Sequence, residues 1–172
     1  MKIALFDSAG NPVYTALEVA ALRIFIAGLV LLPITIRSLK QVDRSKWLPI
    51  LAIGVFGNML PAYLFTSAVT EIPSAIAGML NALTPLFTMI VAAVVFKTVI
   101  SMRQISGLAI GLLGALMLAM GGNLEGLGIE NGVELWACCR VALATLFYGF
   151  SVNILKNKLQ DVPSQAIAAI AL

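Results

Sequence analysis

The stretch from Ser74 to Phe96, SAIAGMLNALTPLFTMIVAAVVF, contains no charged residue and is followed directly by Lys97. Wound as a helix, it is long enough to cross the hydrocarbon core of a bilayer, which takes about 20 predominantly apolar residues. The whole chain has the same character, since 60% of its residues are hydrophobic and only 11% are charged. Soluble domains carry about 25% charged residues. The sequence therefore predicts an all-α membrane protein, a multi-span helical bundle.

The apolar stretches between charged or glycine-rich loops predict five complete membrane spans. A further apolar stretch, from Pro163 to Leu172, would extend only about 15 Å as a helix, which is half the thickness of a bilayer core. The chain is therefore expected to be an incomplete fragment of a larger protein. The five spans cover about Tyr14 to Ile36, Trp47 to Val69, Ser74 to Phe96, Met102 to Gly121 and Leu135 to Leu155.

Charged residues are distributed unevenly between the two sides of these spans. Eight basic residues fall in alternating loops, which share one side of the membrane if the five spans are right. The other side has Lys2 and most of the acidic residues. Because basic loops are retained in the cytoplasm, the basic side is expected to be cytoplasmic. The basic side holds Arg37, Lys40, Arg44, Lys46, Lys97, Arg103, Lys156 and Lys158, and the acidic side holds Asp7, Glu71, Glu125, Glu130 and Glu134.

In the central span, small and polar side chains recur three and four residues apart, so they share one face of a helix. In lipid such a face must turn toward protein or toward a wet cavity. Pro85 adds a second signal, because it cannot donate a hydrogen bond to the carbonyl of Asn81 one turn earlier. Two interpretations stay open, a seam for helix packing and the lining of a cavity. The face comprises Ser74, Ala77, Gly78, Asn81, Thr84, Pro85 and Thr88.

The preceding span has a matching break. Pro61 frees the carbonyl of Gly57 beside Asn58, and Asn58 and Asn81 are expected within about one turn of each other in depth. Broken helices that meet near mid-membrane are typical of transporter sites. In the alternative interpretation, the two asparagines hydrogen-bond each other and bind no ligand. The residues expected to line a substrate path are Asn58, Tyr63, Asn81, Thr84, Pro85, Thr88 and Tyr148.

Three charged residues lie near the outer ends of their predicted helices. Arg23 and Arg140 can extend to the outer headgroups, which explains them without a function. Alternatively, they form an electropositive outer mouth that attracts carboxylates or balances Glu18. Glu18 itself lies near a helix N-terminus, where a negative charge is favoured in any case.

The sequence offers no residues for catalysis or for holding a metal. It contains no histidine, which removes the usual general base and the usual zinc or haem ligand. Its cysteines, Cys138 and Cys139, are adjacent within an apolar segment and are expected to be small apolar filler. We therefore expect no enzymatic activity, no catalytic residues, no metal and no cofactor.

The order of these segments resembles the EamA-type branch of the drug/metabolite transporter superfamily. Ala21 to Ile34 resembles that family's second span, with its Leu-Arg entry at Leu22 and Arg23. Glu71 to Phe96 is similar to its third loop and fourth span, and ISGLAIGLLGALMLAMGG resembles its glycine-rich fifth span. One departure stands out. The family often has Gly-Glu-Arg just after the fourth span, where this chain has Lys97-Thr98-Val99.

The resemblance implies a ten-helix fold built from two inverted five-helix repeats. Residues 1–121 would then be a partial first repeat, without its first span, and residues 122–172 the truncated start of the second. It also implies a secondary transporter, expected to be an exporter, of small metabolites or amphipathic compounds by alternating access in a bacterial-type inner membrane. The alternative is a non-transporting membrane subunit or assembly partner.

The expected partners are the lipid bilayer and a small-molecule substrate, with no nucleic acid. A homodimer through small-residue helix faces is a further expectation, because such faces allow two helices to approach closely. The pattern that suggests it is Gly107, Gly111 and Gly114.

Overall fold

The structure, a computed structural model, describes residues 14–39, 42–121 and 132–172, and for residues 16 and 115–121 it describes the backbone alone. Every regular element in these ranges is helical, which confirms the predicted all-α class. Lys2, Asp7, Lys40, Glu125 and Glu130 lie outside the described residues. The α-helices are α1 Ala16–Ser38, α2 Trp47–Ile53, α3 Leu60–Ala68, α4 Ser74–Asn81, α5 Thr84–Val94, α6 Met102–Gly121, α7 Gly132–Lys158 and α8 Ser164–Ile170.

Within the described residues, four helical stretches are long and apolar enough to cross a membrane: Leu17–Ser38, Arg44–Ala68, Ser74–Val94 and Gly132–Lys158. The predicted span from Met102 to Gly121 is a helix of 20 residues with those bounds. Large apolar side chains cover the outer surface, among them Leu48 at 78% exposure and Val94 at 72%. Such a surface suits contact with lipid and not with water.

Helix α7 lies at the centre of the bundle and packs against α2, α3, α4 and α5. Its contact with α5 is made possible by Gly149. A Cβ atom built at Gly149 would lie 3.0 Å from the carbonyl carbon of Phe87 and 3.0 Å from the backbone nitrogen of Thr88. The two backbones therefore approach more closely than any larger residue would allow.

Two apolar clusters hold the helices together at opposite ends of α7. One joins the start of α7, at Ala137 and Val141, to Ala68 in α3 and to Ile76 in α4. Cys138 is buried in this cluster. The other cluster joins Leu159, just after α7, to α2 and α8.

Ion pairs mark the same two ends. At the first, which we call the acidic end, Arg140 pairs with Glu71 in the turn between α3 and α4. At the second, the basic end, Nζ of Lys46 donates to the Asp161 carboxylate at 2.8 Å and to the carbonyl of Lys158 at 3.1 Å. The bond from Lys46 lowers the pKa of the Asp161 carboxyl below its usual value. Lys46 and Lys158 thus lie on one side, as the charge pattern predicted.

Two of the spans are broken near their middles. The predicted span from Ser74 to Phe96 is two helices, because α4 ends at Asn81 and α5 begins at Thr84. Between them, Ala82 N–H donates to the Met79 carbonyl and Leu83 N–H donates to the Leu80 carbonyl, each at 3.0 Å. Bonds of this shorter 3-10 type tighten the last turn of α4. The other break is the π-helical segment Gly54–Met59, which joins α2 to α3.

Candidate functional site

The two breaks face one cavity of about 1010 Å³, which we call the first cavity. It lies between α1, the broken helices and α7. A volume of this size is at the upper end for small-molecule sites. Its polar and aromatic lining includes Arg23, Asn58, Phe65, Asn81, Thr84 and Tyr148.

The wall on one side is the π-helical segment. Because Pro61 has no N–H, the helix before it cannot keep a regular bonding pattern. The chain adopts a wider turn, in which Leu60 N–H donates to the carbonyl of Val55. Single π-helical turns of this kind often occur at functional sites. Asn58, within this turn, donates from Nδ2 to the carbonyl of Ala171 at 3.2 Å.

The facing wall is the break between α4 and α5. Pro85 deprives the Asn81 carbonyl of its usual helical donor. The Thr84 hydroxyl lies 2.7 Å from that carbonyl oxygen and 3.1 Å from the side-chain Oδ1 of Asn81. An unsatisfied carbonyl is costly in hydrocarbon, and here the Thr84 hydroxyl satisfies it. Asn81 itself lines the first cavity, so its side-chain amide is available to a polar ligand there.

Five of the predicted path residues line the first cavity: Asn58, Asn81, Thr84, Pro85 and Tyr148. The alternative in which the two asparagines bond each other is not what the structure has, since Asn58 donates to Ala171 instead. The other two path residues lie elsewhere. Tyr63 is 45% exposed and lines neither this cavity nor the second one described below, and Thr88 lines the second.

The three charged residues predicted for the outer mouth lie in different surroundings. Arg23 and Tyr148 both line the first cavity. Glu18 forms a capping box with Thr15, whose backbone N–H donates to Oε2 of Glu18 at 2.7 Å. Arg140 is paired with Glu71, and its buried Nε has no hydrogen-bond partner among the described residues. Of the three, Arg23 is thus the one at the cavity.

A second cavity of about 860 Å³ lies toward the basic end, between α5, α6 and α7. Thr84 and Pro85 line both cavities, so the first turn of α5 stands between them. The remaining wall of the second cavity includes Thr88, Gly107, Gly111, Asn153 and Lys156. The sequence predicted one site, and the structure has a cavity on each side of the Thr84–Pro85 turn.

A ladder of hydrogen bonds runs from the break along α5 to α7. The Thr88 hydroxyl donates to the carbonyl of Thr84 at 2.8 Å. Nδ2 of Asn153 then donates to the carbonyls of Thr88 and Gly149, both at 2.8 Å. Asn153 is only 2% exposed, and it is not among the residues that the sequence predicted for the site. Its signal was an amide side chain inside an apolar span, which in a membrane calls for a protein partner.

A model of the EamA-like transporter family matches residues 4–120, more than half of the 172-residue chain. The chain belongs to this family. Comparisons with curated proteins and with solved structures gave no match. EamA-like proteins are membrane transporters of small compounds and not enzymes, and the apolar helices agree that this one is a multi-pass integral membrane protein.

The stretch Lys97-Thr98-Val99, where the resemblance would lead one to expect Gly-Glu-Arg, begins with unusual backbone geometry. Lys97, the first residue of this stretch, has a φ of 51°, in the left-handed region that glycine adopts without strain. The structure therefore gives a physical reason for a glycine at this position. The lysine here must adopt the same conformation with a side chain attached.

Proposed function

We propose that this EamA-like transporter moves small metabolites or amphipathic compounds across the membrane by alternating access, with the first cavity as its substrate site. The observation that supports this most is the pair of helix breaks, at Gly54–Met59 and at Asn81–Thr84, facing one cavity. Broken helices free backbone groups and side-chain amides in a region that otherwise offers a polar substrate nothing to bind.

The direction, membrane and larger architecture belong to the same proposal. We propose export across a bacterial-type inner membrane, with the basic end in the cytoplasm, because Lys46, Lys156 and Lys158 cluster there. We also propose a ten-helix inverted-repeat fold, in which residues 1–121 belong to the first repeat and residues 122–172 to the second. A homodimer through small-residue helix faces remains a prediction.

The test replaces two asparagine side chains in separate variants, one that lines the first cavity and one that does not. Asn81→Leu should lower the transport rate about tenfold or more while leaving abundance unchanged, since a hydrogen bond of about 1.4 kcal/mol corresponds to a tenfold effect. The matched control is Asn157→Leu, the same change at an exposed residue that lines neither cavity. Interhelical hydrogen bonds in membranes average only about 0.6 kcal/mol, so the loss of one should not unfold the protein.

The measurement is efflux from proteoliposomes that contain the intact protein as its gene encodes it. The probes are ω-(p-hydroxyphenyl)hexanoate, its primary amide and the corresponding amine. Normal transport by Asn81→Leu at normal abundance would contradict the proposed site. Failure of all three probes to move faster than from protein-free liposomes would contradict the proposed function itself.

A further inference from the structure

We propose that the second cavity is a separate binding site for amphipathic anions, with Lys156 holding the acidic group. Its place on a transport path rests on the proposed function, but its binding chemistry does not. The proposal starts from the charge of the lining. Lys156 is the one charged side chain that lines this cavity among the described residues, and no acidic side chain lines it.

Lys156 has no ion-pair partner in the described part of the chain. The acidic residue nearest to it in sequence, Asp161, is bonded to Lys46, and the backbone carbonyl of Lys156 accepts from Gln160. The ammonium group of Lys156 is exposed and lines the cavity, so it can attract an anion that enters the cavity. It also disfavours cationic ligands for the same reason.

Polar groups line the cavity beyond Lys156, and they offer acceptors: Asn153 lies about one turn from Lys156 on α7, and Thr88 and Thr84 lie on α5. The Thr84 and Thr88 hydroxyls donate to oxygens one turn earlier. The side-chain amide of Asn153 donates both of its hydrogen bonds to backbone carbonyls. Their remaining capacity for a ligand is therefore the oxygen lone pairs. A ligand that suits this lining has an anionic head, an apolar body and a hydrogen-bond donor at its far end.

The middle of the cavity leaves room for the apolar body. Gly107 and Gly111 line it, and a Cβ atom built at either glycine meets no other atom within 4 Å. Apolar side chains also line the cavity here, among them Met89 on α5 and Leu108 on α6. A membrane phospholipid suits this cavity less well, because an acyl chain offers no donor to the remaining oxygen lone pairs of Thr84, Thr88 and Asn153.

The experiment measures binding of the three probes named above to the intact protein in phosphatidylcholine nanodiscs. We expect the hexanoate to bind at least tenfold more tightly than its amide, and the amine more weakly than the amide. Lys156→Gln should lower the affinity for the hexanoate about tenfold and leave the amide within twofold, since a charge-assisted contact is lost. Lys158→Gln removes the same charge two residues away, outside the cavity, and should change neither affinity.

A second pair of variants tests the location independently of charge. Gly111→Leu fills the cavity and should weaken all three probes about tenfold, whereas Gly78→Leu fills open space on α4, lines neither cavity and should weaken none. Equal affinity for the three probes would overturn the proposal. It would also be overturned if Lys158→Gln lowered the affinity for the hexanoate as much as Lys156→Gln does. Displacement of the hexanoate by phosphatidylglycerol in the nanodisc would identify a bilayer headgroup as the occupant and also overturn it.

The two proposals fail in different ways. Binding that follows the Lys156 pattern without transport of any probe would contradict the proposed function and leave this site standing. Transport that depends on Asn81 while no probe binding depends on Lys156 or Gly111 would contradict this site and leave the first cavity standing.

Discussion

The end of α5 shows how one residue can be placed against its own preference. Phe96 N–H donates to the Val91 carbonyl at 3.3 Å, and Thr98 N–H donates to the Ala92 carbonyl at 2.9 Å. These bonds satisfy the last carbonyls of the helix, and they require the chain to reverse at Lys97 with a φ of 51°. For a residue with a Cβ atom, this conformation costs about 1–2 kcal/mol. The cost is accepted because unpaired carbonyls at a helix end are costly as well.

Lys97→Gly should therefore stabilise the protein by about 1 kcal/mol. This is the free energy of the relieved strain minus the cost of the greater conformational freedom of glycine in the unfolded chain. The measurement is the midpoint of thermal unfolding in detergent. Lys97→Val should lower that midpoint, since a β-branched residue suits a positive φ worst. A lower midpoint for Lys97→Gly would show that the lysine side chain contributes more than the strain costs.

At this scale the sequence predicted residues whose chemistry is local. Asn81, Pro85 and Thr84 lie within one turn, so their spacing indicated the break and the freed carbonyl. Asn153 and the pairing of Arg140 with Glu71 depend on contacts between residues far apart in the chain. The sequence could not show which helix lies beside which, so those partners could not be predicted from it.

Among the helices, the contact between α5 and α7 depends on the absence of a side chain at Gly149. The Phe87 carbonyl oxygen would lie 3.1 Å from a Cβ atom there, and the other close atoms are also backbone, which cannot move aside as a flexible side chain can. The same contact sets the position of Asn153, because the side-chain amide of Asn153 donates hydrogen bonds to the carbonyls of both Gly149 and Thr88. The ladder that supports the break is thus fixed by helix packing.

Gly149→Ala should destabilise the protein by about 1–3 kcal/mol, since overpacking forces the two backbones apart. Gly78→Ala is the control, because a Cβ atom there meets nothing within 4 Å. It should be neutral or stabilising by up to about 1 kcal/mol through helix propensity. The comparison is made by thermal unfolding of both variants, and equal effects would contradict the close α5–α7 contact.

The spans themselves were predictable, because an apolar run of sufficient length in a membrane has few alternatives to a helix. Their interruptions were predictable only in part. Pro61 and Pro85 indicated where regular bonding fails, but the form of each failure depends on tertiary packing. One became a π-helical segment bonded to Ala171, and the other became a short tightened turn closed by Thr84.

For the whole molecule, the central feature is the arrangement of two cavities on either side of the Thr84–Pro85 turn. The first lies toward the acidic end and the second toward the basic end, and each is lined by one cationic side chain, Arg23 or Lys156. At the first, the asparagines and prolines of the sequence left two interpretations open, a seam for helix packing and the lining of a cavity. The sequence could not predict the second cavity, because that cavity depends on how α5, α6 and α7 are placed relative to one another.

The most direct test of this account is the access of water-soluble reagents to Thr84 from both sides of the membrane. Thr84→Cys, in a background with Cys138→Ala and Cys139→Ala, should react with a membrane-impermeant methanethiosulfonate added to either side of proteoliposomes. The control Ile90→Cys is 44% exposed on the outer surface, lines neither cavity and should react from neither side. If Thr84→Cys were protected from both sides like the control, the Thr84–Pro85 turn would not be open to both cavities, and this account would be wrong.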